Sequence, residues 1–437
     1  MAANKKNKSK SIEVEVQSKH YRPMTSKWFA SGVVMVDGKP VYWKAARQYA
    51  KWDIESSAQQ GWELDENQRH EAMSMIIRAL QENRKRLSRV ESTPGRKEDE
   101  IDLGDRITLA HGGGGTQMQE LIQKTIRKHL PTGENGNLFD GAILASHSGR
   151  MVFATNTYVV KPLFFRGGNI GSAALYGTVN NIAVCAARPL AISVGLVLEE
   201  GLPIGIMAEI LESIKTAAEN TGVSVVTGDT RVVEKGSVDG MFINTTGIGS
   251  MYPRLRVGYE RVKPGDAVLI SGTVSEHGIA VICDREGLNL KGKIKSDVGP
   301  VNSLVEKLIK AKISIRCMKD PSRGGVAAAL NQIATASGTQ IEIDADSLPL
   351  RQDIADACEV MGLDPLSVAN HGKLIVICAG GNAAMALEKL KEDPFGKKAA
   401  IIGKVTKSAA GRVIKRRKTG EASIVEMPYG EQMPRVL

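Results

Sequence analysis

The sequence predicts an α/β fold, mixed enough to be called α+β, arranged as two domains behind a small N-terminal module. Three observations predict it. From Ile101 onward, short apolar runs alternate with stretches whose apolar residues recur at helical spacing. Pro253 and Pro264 interrupt that alternation between Met251 and Gly265 and mark a boundary. The four tryptophans, Trp28, Trp43, Trp52 and Trp62, all fall within the first hundred residues, so that stretch packs by different means. A chain of 437 residues suits about three units of roughly 150 residues each. The expected units are residues 1–100, 101–255 and 256–437.

In the module, Val33–Val36 and Pro40–Trp43 flank Asp37-Gly38, a pair that supplies the positive φ values of a tight hairpin turn. A helix follows over Glu66–Leu87, with Met73, Ile76, Ile77, Leu80 and Leu87 on one face. Residues 91–100, with Pro94, Gly95 and mixed charges, form a linker. No chemical role follows from these residues; they suit packing on a neighbour or on an outside protein partner.

In the first domain, His111-Gly112-Gly113-Gly114-Gly115 precedes an amphipathic helix carrying Met118, Leu121, Ile122 and Ile126. A glycine run there serves equally as a hinge or as a phosphate cradle. Thr155 to Asn181 joins a strand (Tyr158, Val159, Val160) through Gly167 and Gly168 to a helix that begins near Ile170. Backbone donors of a glycine turn beside a helix N-terminus suit a polyphosphate. Met207, Ile210, Leu211, Ile214 and Ala218 mark another helix, then Val223–Val226 a strand. Thr227-Gly228-Asp229-Thr230-Arg231 reads as a tight turn after it; the acid is a metal or hydroxyl ligand, or simply what a turn needs.

The second domain repeats the alternation. Ala267–Ser271 is a strand, Gly278–Cys283 a helix start and Val301–Ala311 a helix. Asp320-Pro321-Ser322-Arg323-Gly324-Gly325 opens the helix Val326–Ala336, Lys373–Ala379 is an apolar strand and Ala383–Lys391 a helix.

Composition excludes several classes of function. No apolar run approaches the ~20 residues of a membrane span. The lysine-rich first ten residues lack the apolar segment of a secretory signal, so a cytoplasmic protein is expected. Cys185, Cys283, Cys317, Cys358 and Cys378 stand singly in apolar surroundings, which suits buried small hydrophobes rather than a zinc or redox site. The net charge of +10 is spread over Lys5–Lys10, Arg84–Arg86 and a hairpin tip at Lys415–Lys418. Basic residues gather at such places without any nucleic acid to bind.

A family resemblance rests on motifs that occur in order over about residues 105–437. They include His111-Gly-Gly-Gly-Gly, Tyr158 to Gly177, Glu199-Glu-Gly-Leu-Pro203, Thr227-Gly-Asp-Thr230, Phe242-Ile-Asn-Thr-Thr-Gly247, His277-Gly-Ile-Ala280, Asp320-Pro-Ser-Arg-Gly-Gly325 and Val368-Ala-Asn-His-Gly-Lys373. Together these resemble the hydrogenase maturation factor HypE. The resemblance implies a two-domain relative of aminoimidazole ribonucleotide synthetase, dimeric through the strands of its first domain. It also implies Mg-ATP-dependent dehydration of a thiocarboxamide on a C-terminal cysteine to a thiocyanate. Carried over by position, His111, Gly113, Asp140, Asn156, Asn169, Asn181, Asp229, Asp320 and Arg323 become nucleotide-binding candidates, Asp140 and Asp229 magnesium ligands, and Arg231 and His371 the deprotonating pair.

The same positions carry departures from the family pattern. Asn156, Asn169 and Asn181 stand where the family has aspartates, Arg231 where it has lysine and His371 where it has glutamate. Pro434-Arg435-Val436-Leu437 stands where the family's tail ends in cysteine. Magnesium prefers anionic oxygens, and arginine does not act as a base, whereas histidine can. The sequence therefore leads us to expect a catalytically degenerate subunit serving a metalloenzyme assembly, as a homodimer or a heterodimer with a HypE paralogue. The alternative is an ATP-dependent dehydratase acting on a substrate in trans.

Overall fold

The structure is a computed structural model. It describes the strands between residues 13 and 58, then residues 106–112, 116–130, 144, 149–288, 294–407, 411–429, 433 and 435–437. The expected helix at 66–87, the linker at 91–100, Gly113 and Asp140 lie outside the described residues. The chain forms two compact units, Met1–Ile101 and Asp102–Leu437.

The first unit contains an antiparallel meander of β1 (Glu13–Arg22), β2 (Lys27–Val36), β3 (Lys39–Gln48) and β4 (Lys51–Ala58) in sheet order β1-β2-β3-β4. Val36 pairs with Lys39, so Asp37 and Gly38 occupy the two-residue connection where the sequence expects the hairpin.

In the second unit, α1 (Thr116–Leu121) runs on through a π turn (Ile122–Ile126) to Arg127–His129. Then come β5 (Met151–Tyr158), the short β6 (Phe164–Phe165) and β7 (Gly168–Asn169), and α2 (Ile170–Val184). β8 (Ala187–Glu199), α3 (Ile204–Thr221), β9 (Ser224–Val233) and β10 (Met241–Met251) complete a sheet of order β5-β10-β8-β9. α2 is buried on every side, the polar Thr178 and Asn180 included, as suits a helix enclosed all round. Its contact with α3 is close enough that a Cβ on Gly171 would lie 2.5 Å from the Ile210 carbonyl oxygen.

The rest of the unit builds a seven-stranded sheet of order β12-β14-β11-β15-β13-β16-β17. Its strands are β11 (Asp266–Ile270), β12 (Ile315–Lys319), β13 (Gln340–Asp344), β14 (Ile375–Ala379), β15 (Ala400–Thr406), β16 (Val413–Arg416) and β17 (Ala422–Ile424). The helices are α4 (Glu276–Arg285), α5 (Asn302–Lys310), α6 (Gly325–Ser337), α7 (Gln352–Met361) and α8 (Ala383–Lys391). Every strand and helix expected beyond residue 260 is present within a few residues. One apolar cluster joins α2 and α3 to Ile279–Cys283 of α4, Ile354 of α7, and Val436 and Leu437.

Two expectations need correction. Thr227–Arg231 is not a turn: it continues β9, with Gly195 of β8 opposite Asp229 and Val197 opposite Arg231. The apolar Val225, Val232 and Val233 on either side of the polar residues extend the strand through them. Cys185 is exposed at the end of α2, while the other four cysteines are buried as expected.

Candidate active site

The structure buries a polar cluster where α2 meets the loops of the larger sheet. Asn180, fully buried on α2, binds both sides of that joint. Its Nδ2 donates to the carbonyls of Gly299 (3.0 Å) and His371 (3.4 Å), and its Oδ1 accepts from the Val301 N–H (2.8 Å). These bonds hold the segments bearing Asp297 and His371 against α2. A second tie joins the loop of Asp320 to that of His371: Asn370 donates through Nδ2 to the Pro321 carbonyl at 3.0 Å.

Charges in the cluster are compensated along a line from the surface inward. Arg351 donates to Glu276 at 3.0 Å, and Lys373 lies 3.7 Å from Glu276 and 2.9 Å from Asp297. Asp297 Oδ1 accepts from the His371 backbone N–H at 3.2 Å. Burial opposes ionisation of Asp297, yet Lys373 and then His277 hold its carboxyl below the usual range. A buried charge survives only with such partners.

The two histidines are neutral, and their tautomers follow from their bonds. His277 Nε2–H donates to the Val436 carbonyl (2.7 Å), so its Nδ1 accepts from the Ser296 hydroxyl (2.7 Å). His371 Nε2–H donates to the Ala173 carbonyl of α2 at 2.9 Å, leaving Nδ1 a bare acceptor. The rings are 5.4 Å apart, centre to centre. Burial lowers both, and for His371 burial and then His277 push the imidazole down to about 3. Burial thus lowers the proton affinity of the His371 ring, the residue expected to stand in for the family's glutamate.

Three buried atoms of the cluster lack hydrogen-bond partners among the described residues: His371 Nδ1, Asp320 Oδ1 and Asp297 Oδ2, the last of which is met by the Lys373 ion pair at 2.9 Å. Leaving such groups unpaired costs about 1–3 kcal/mol each. Burial, and then Asp297, raise the Asp320 carboxyl well above the usual range, which favours its protonated form. Tyr158 at the end of β5 completes the wall. Its ring centre is 6.1 Å from that of His371, and its phenol, raised by burial and then by Asp320, leaves no room for a side chain at Gly177.

The polyphosphate path expected along Thr155–Asn181 is otherwise engaged. Asn169 is the N-cap of α2: its Oδ1 accepts from the N–H groups of Gly171 (2.9 Å) and Ser172 (3.1 Å), and its Nδ2 donates to Ser213 (2.7 Å). The helix donors that would meet a phosphate are therefore spent on the cap. Gly167, at φ +100°, lies against Ser296, where a Cβ would be 2.7 Å from the carbonyl oxygen. The glycine turn is a joint between the two halves. Asn156 Nδ2 donates to Thr178 at 3.2 Å, and Asn181 is half-buried on α2.

Asp229 and Arg231 lie elsewhere, on the open face of the first sheet. Their side chains, 64% and 67% exposed, are 3.6 Å apart. That face carries hydroxyls and an amide, with Thr155 accepting from Thr246 (2.9 Å) and Thr157 from Asn244 (2.9 Å). His111 sits in a 3₁₀ turn (Leu109–Gly112) that packs on β9 through Gly112 and Val232. Arg323 belongs to the loop leading into α6 and acts electrostatically on the Tyr158 phenol. Within one chain, no hydrogen bond or ion pair among the described residues joins Arg231 to His371. The sequence singled out neither Asn180 nor Asp297 nor Lys373 as a site residue. Asn180 stands next to Asn181 in the quoted motif, and Lys373 closes another.

Known proteins share this architecture. The family described as AIR synthase related protein, N-terminal domain, matches residues 139–251, and its C-terminal counterpart matches residues 263–416. The chain is 43% identical over 332 residues to the hydrogenase expression/formation protein HupE of Azotobacter chroococcum mcd 1, covering 76% of this chain and 97% of that one. It is 41% identical to carbamoyl dehydratase HypE of Azotobacter vinelandii, with the same coverage. The chain belongs to the HypE family of hydrogenase maturation proteins. A crystal structure of HypE in complex with ATP superposes with a TM-score of 0.73 at 39% identity, over 76% of this chain and 99% of that one. The HypE of a HypE–HypF complex gives 0.63 at 44% identity, over 65% and 92%. The HypE matches of known coverage span about three quarters of this chain or less, so the HypE family does not account for all of it. No helix among the described residues is long and apolar enough to cross a membrane.

Proposed function

We propose that the chain is an ATP-dependent carbamoyl dehydratase of the HypE type, converting a thiol-bound carbamoyl group, R–S–C(=O)–NH2, into a thiocyanate while ATP becomes ADP and phosphate. The observation that carries this reading is the buried cluster of Asp320, His371, Asp297 and Lys373, neutral overall and walled by Tyr158. Buried, charge-compensated surroundings suit an uncharged amide and would keep water from an activated intermediate. ATP supplies the phosphoryl group that turns the amide oxygen into a leaving group. Asp229 and Arg231, exposed beside the His111 turn, are the residues that would meet the nucleotide. Magnesium is commonly held by one or two carboxylates plus phosphate and water; Asp229 supplies one, and Asp140 lies outside the described residues. A HypF-like protein partner fits the complex formed by the relative.

A second reading has its own observation. With His371 pushed down to about 3 and Arg231 in place of a lysine, the chain lacks a strong base among the expected residues. A degenerate subunit, paired with a second copy or a catalytic paralogue, would have that property. The two readings part on one measurement: ATP cleavage and thiocyanate release by the purified full chain with a carbamoylated thiol peptide. Thiocyanate formed in step with ADP, and lost in Asp229→Asn, supports the dehydratase. ATP cleavage and thiocyanate both absent, with a stable complex formed on mixing with a catalytic HypE, would replace it with the second reading.

A further inference from the structure

We propose that the β1–β4 sheet of the first unit binds single-stranded nucleic acid on the face where Tyr21, Trp28, Arg47 and Trp52 stand in one row. The AIR synthase related domains match from residue 139 onward, so this sheet lies outside both and its ligand is independent of the dehydratase reading.

The register assembles the face. Residues opposite one another in antiparallel strands share a face, and neighbours along a strand alternate between faces. Tyr21 pairs with Trp28, Trp28 with Arg47 and Arg47 with Trp52, so one row crosses all four strands. At ~4.8 Å per strand the row is about 14 Å across. The next row holds Lys19, Ala30, Ala45 and Ile54, and the one after it sets Trp43 between Gly32 and Ser56. Three tryptophans thus share a face, with small residues placed between them. The far end of the same face, Val14, Val34, Val41 and Ala58, is wholly apolar and suits packing within the unit.

Charge selects the ligand. The acids of these strands, Glu13, Glu15, Asp53 and Glu55, all fall on the opposite face, in register with Met35, Val33, Ala46 and Lys44. The tryptophan face has Arg47 and Lys19 and no carboxylate. Arg22 opposite Lys27, and Lys51 opposite Gln48, end the strands beside the aromatic row. Spread along the chain, basic residues imply no nucleic acid; in register, these five gather at one end of one sheet. A face given over to an apolar core would not set an arginine between Trp28 and Trp52. Aromatic residues interleaved with cations take a ligand that alternates flat rings with negative charge. A single strand offers that: its bases are free to stack, at about 1–3 kcal/mol each, and its phosphates pair with arginine and lysine. A duplex hides its base faces, and an acidic peptide has the charge without the rings.

The chain carries its own reporter. All four tryptophans, Trp28, Trp43, Trp52 and Trp62, belong to this unit, so tryptophan emission reads it alone. The full chain is titrated with oligouridylate and with oligothymidylate of about 15 nucleotides, at low and at physiological salt. Quenching is expected, with affinity falling as salt rises; binding of either strand supports the site, the tighter one marking the ligand as RNA or DNA. A duplex of the same length should bind at least about ten-fold more weakly, and polyglutamate should not displace the strand. Trp28→Ala and Trp52→Ala should each lower affinity about ten-fold, and Trp28→Phe by less than about three-fold. Arg47→Gln should flatten the slope of log affinity against log salt by about 0.7. Unchanged emission with both strands, equal binding of the duplex or displacement by polyglutamate overturns the proposal with no variant needing to fold. So does Arg47→Gln with affinity and salt slope unaltered.

Discussion

At the scale of single residues, the site is governed by where protons reside. Burial and then Asp297 raise the Asp320 carboxyl well above the usual range in the folded chain, which favours its protonated form there relative to the unfolded chain. A raised acid contributes stability that is present below the unfolded value, about 3.9, and is lost as pH climbs toward the folded one. Asp320→Asn keeps the shape and removes that loss. The variant should therefore melt higher than the wild type at pH 8 and converge with it near pH 4; equal melting temperatures at both pH values would show that Asp320 is not protonated in the fold. Asn169 makes a second case. Its Oδ1 caps α2 and its Nδ2 holds Ser213, so Asn169→Ala should cost about 1 kcal/mol or somewhat more, read by urea denaturation. The sequence presents this asparagine as a lost aspartate, whereas locally it is a complete capping residue.

Among elements, what could be read from the sequence depended on whether the deciding force was local. α3 announced itself through Met207, Ile210, Leu211, Ile214 and Ala218, all buried as the period requires. The β2–β3 hairpin was legible in Asp37-Gly38. β9 was not, since Gly228 and Asp229 look like a turn and only pairing with β8, set by the fold, makes them strand. The site shows the same division. His371 and Asp320 were visible in motifs, but the roles of Asn180 and Asp297 arise from contacts between residues 74 to 121 positions apart in the chain. α2 illustrates the cost of such contacts. Gly171 lets it approach α3, and a Cβ there would stand 2.5 Å from the Ile210 carbonyl oxygen, backbone that cannot swing aside. Gly171→Ala should destabilise the unit by about 1–3 kcal/mol despite alanine's better helix propensity, measured by chemical denaturation. A stabilised variant would show that α2 and α3 are not packed this closely.

For the second unit as a whole, the buried histidines link its two halves to pH. His371 Nε2–H binds the Ala173 carbonyl of α2, Asn180 of the same helix binds the loop at Gly299 and Val301, and His277 holds the Val436 carbonyl, so residues from both halves share one polar joint. Both imidazoles are lowered in the fold, His371 to about 3, while an unfolded histidine titrates near 6.5. A base whose folded value is depressed contributes stability that is complete above the unfolded value and is lost as pH falls toward the folded one. Each adds a slope of up to about 1.4 kcal/mol per pH unit across that window. Residues 102–437 should accordingly lose stability from pH 6.5 downward, well before carboxylate titration dominates, and as one transition because the joint belongs to both halves. His371→Gln keeps an uncharged acceptor and removes one of the two protons taken up, so its stability should fall less steeply between pH 6.5 and 4.5, read by denaturant titration across that range. An identical slope in wild type and variant would mean that the His371 ring is not buried as a neutral base, and the hydrogen-bond pattern assigned to the joint would fall with it.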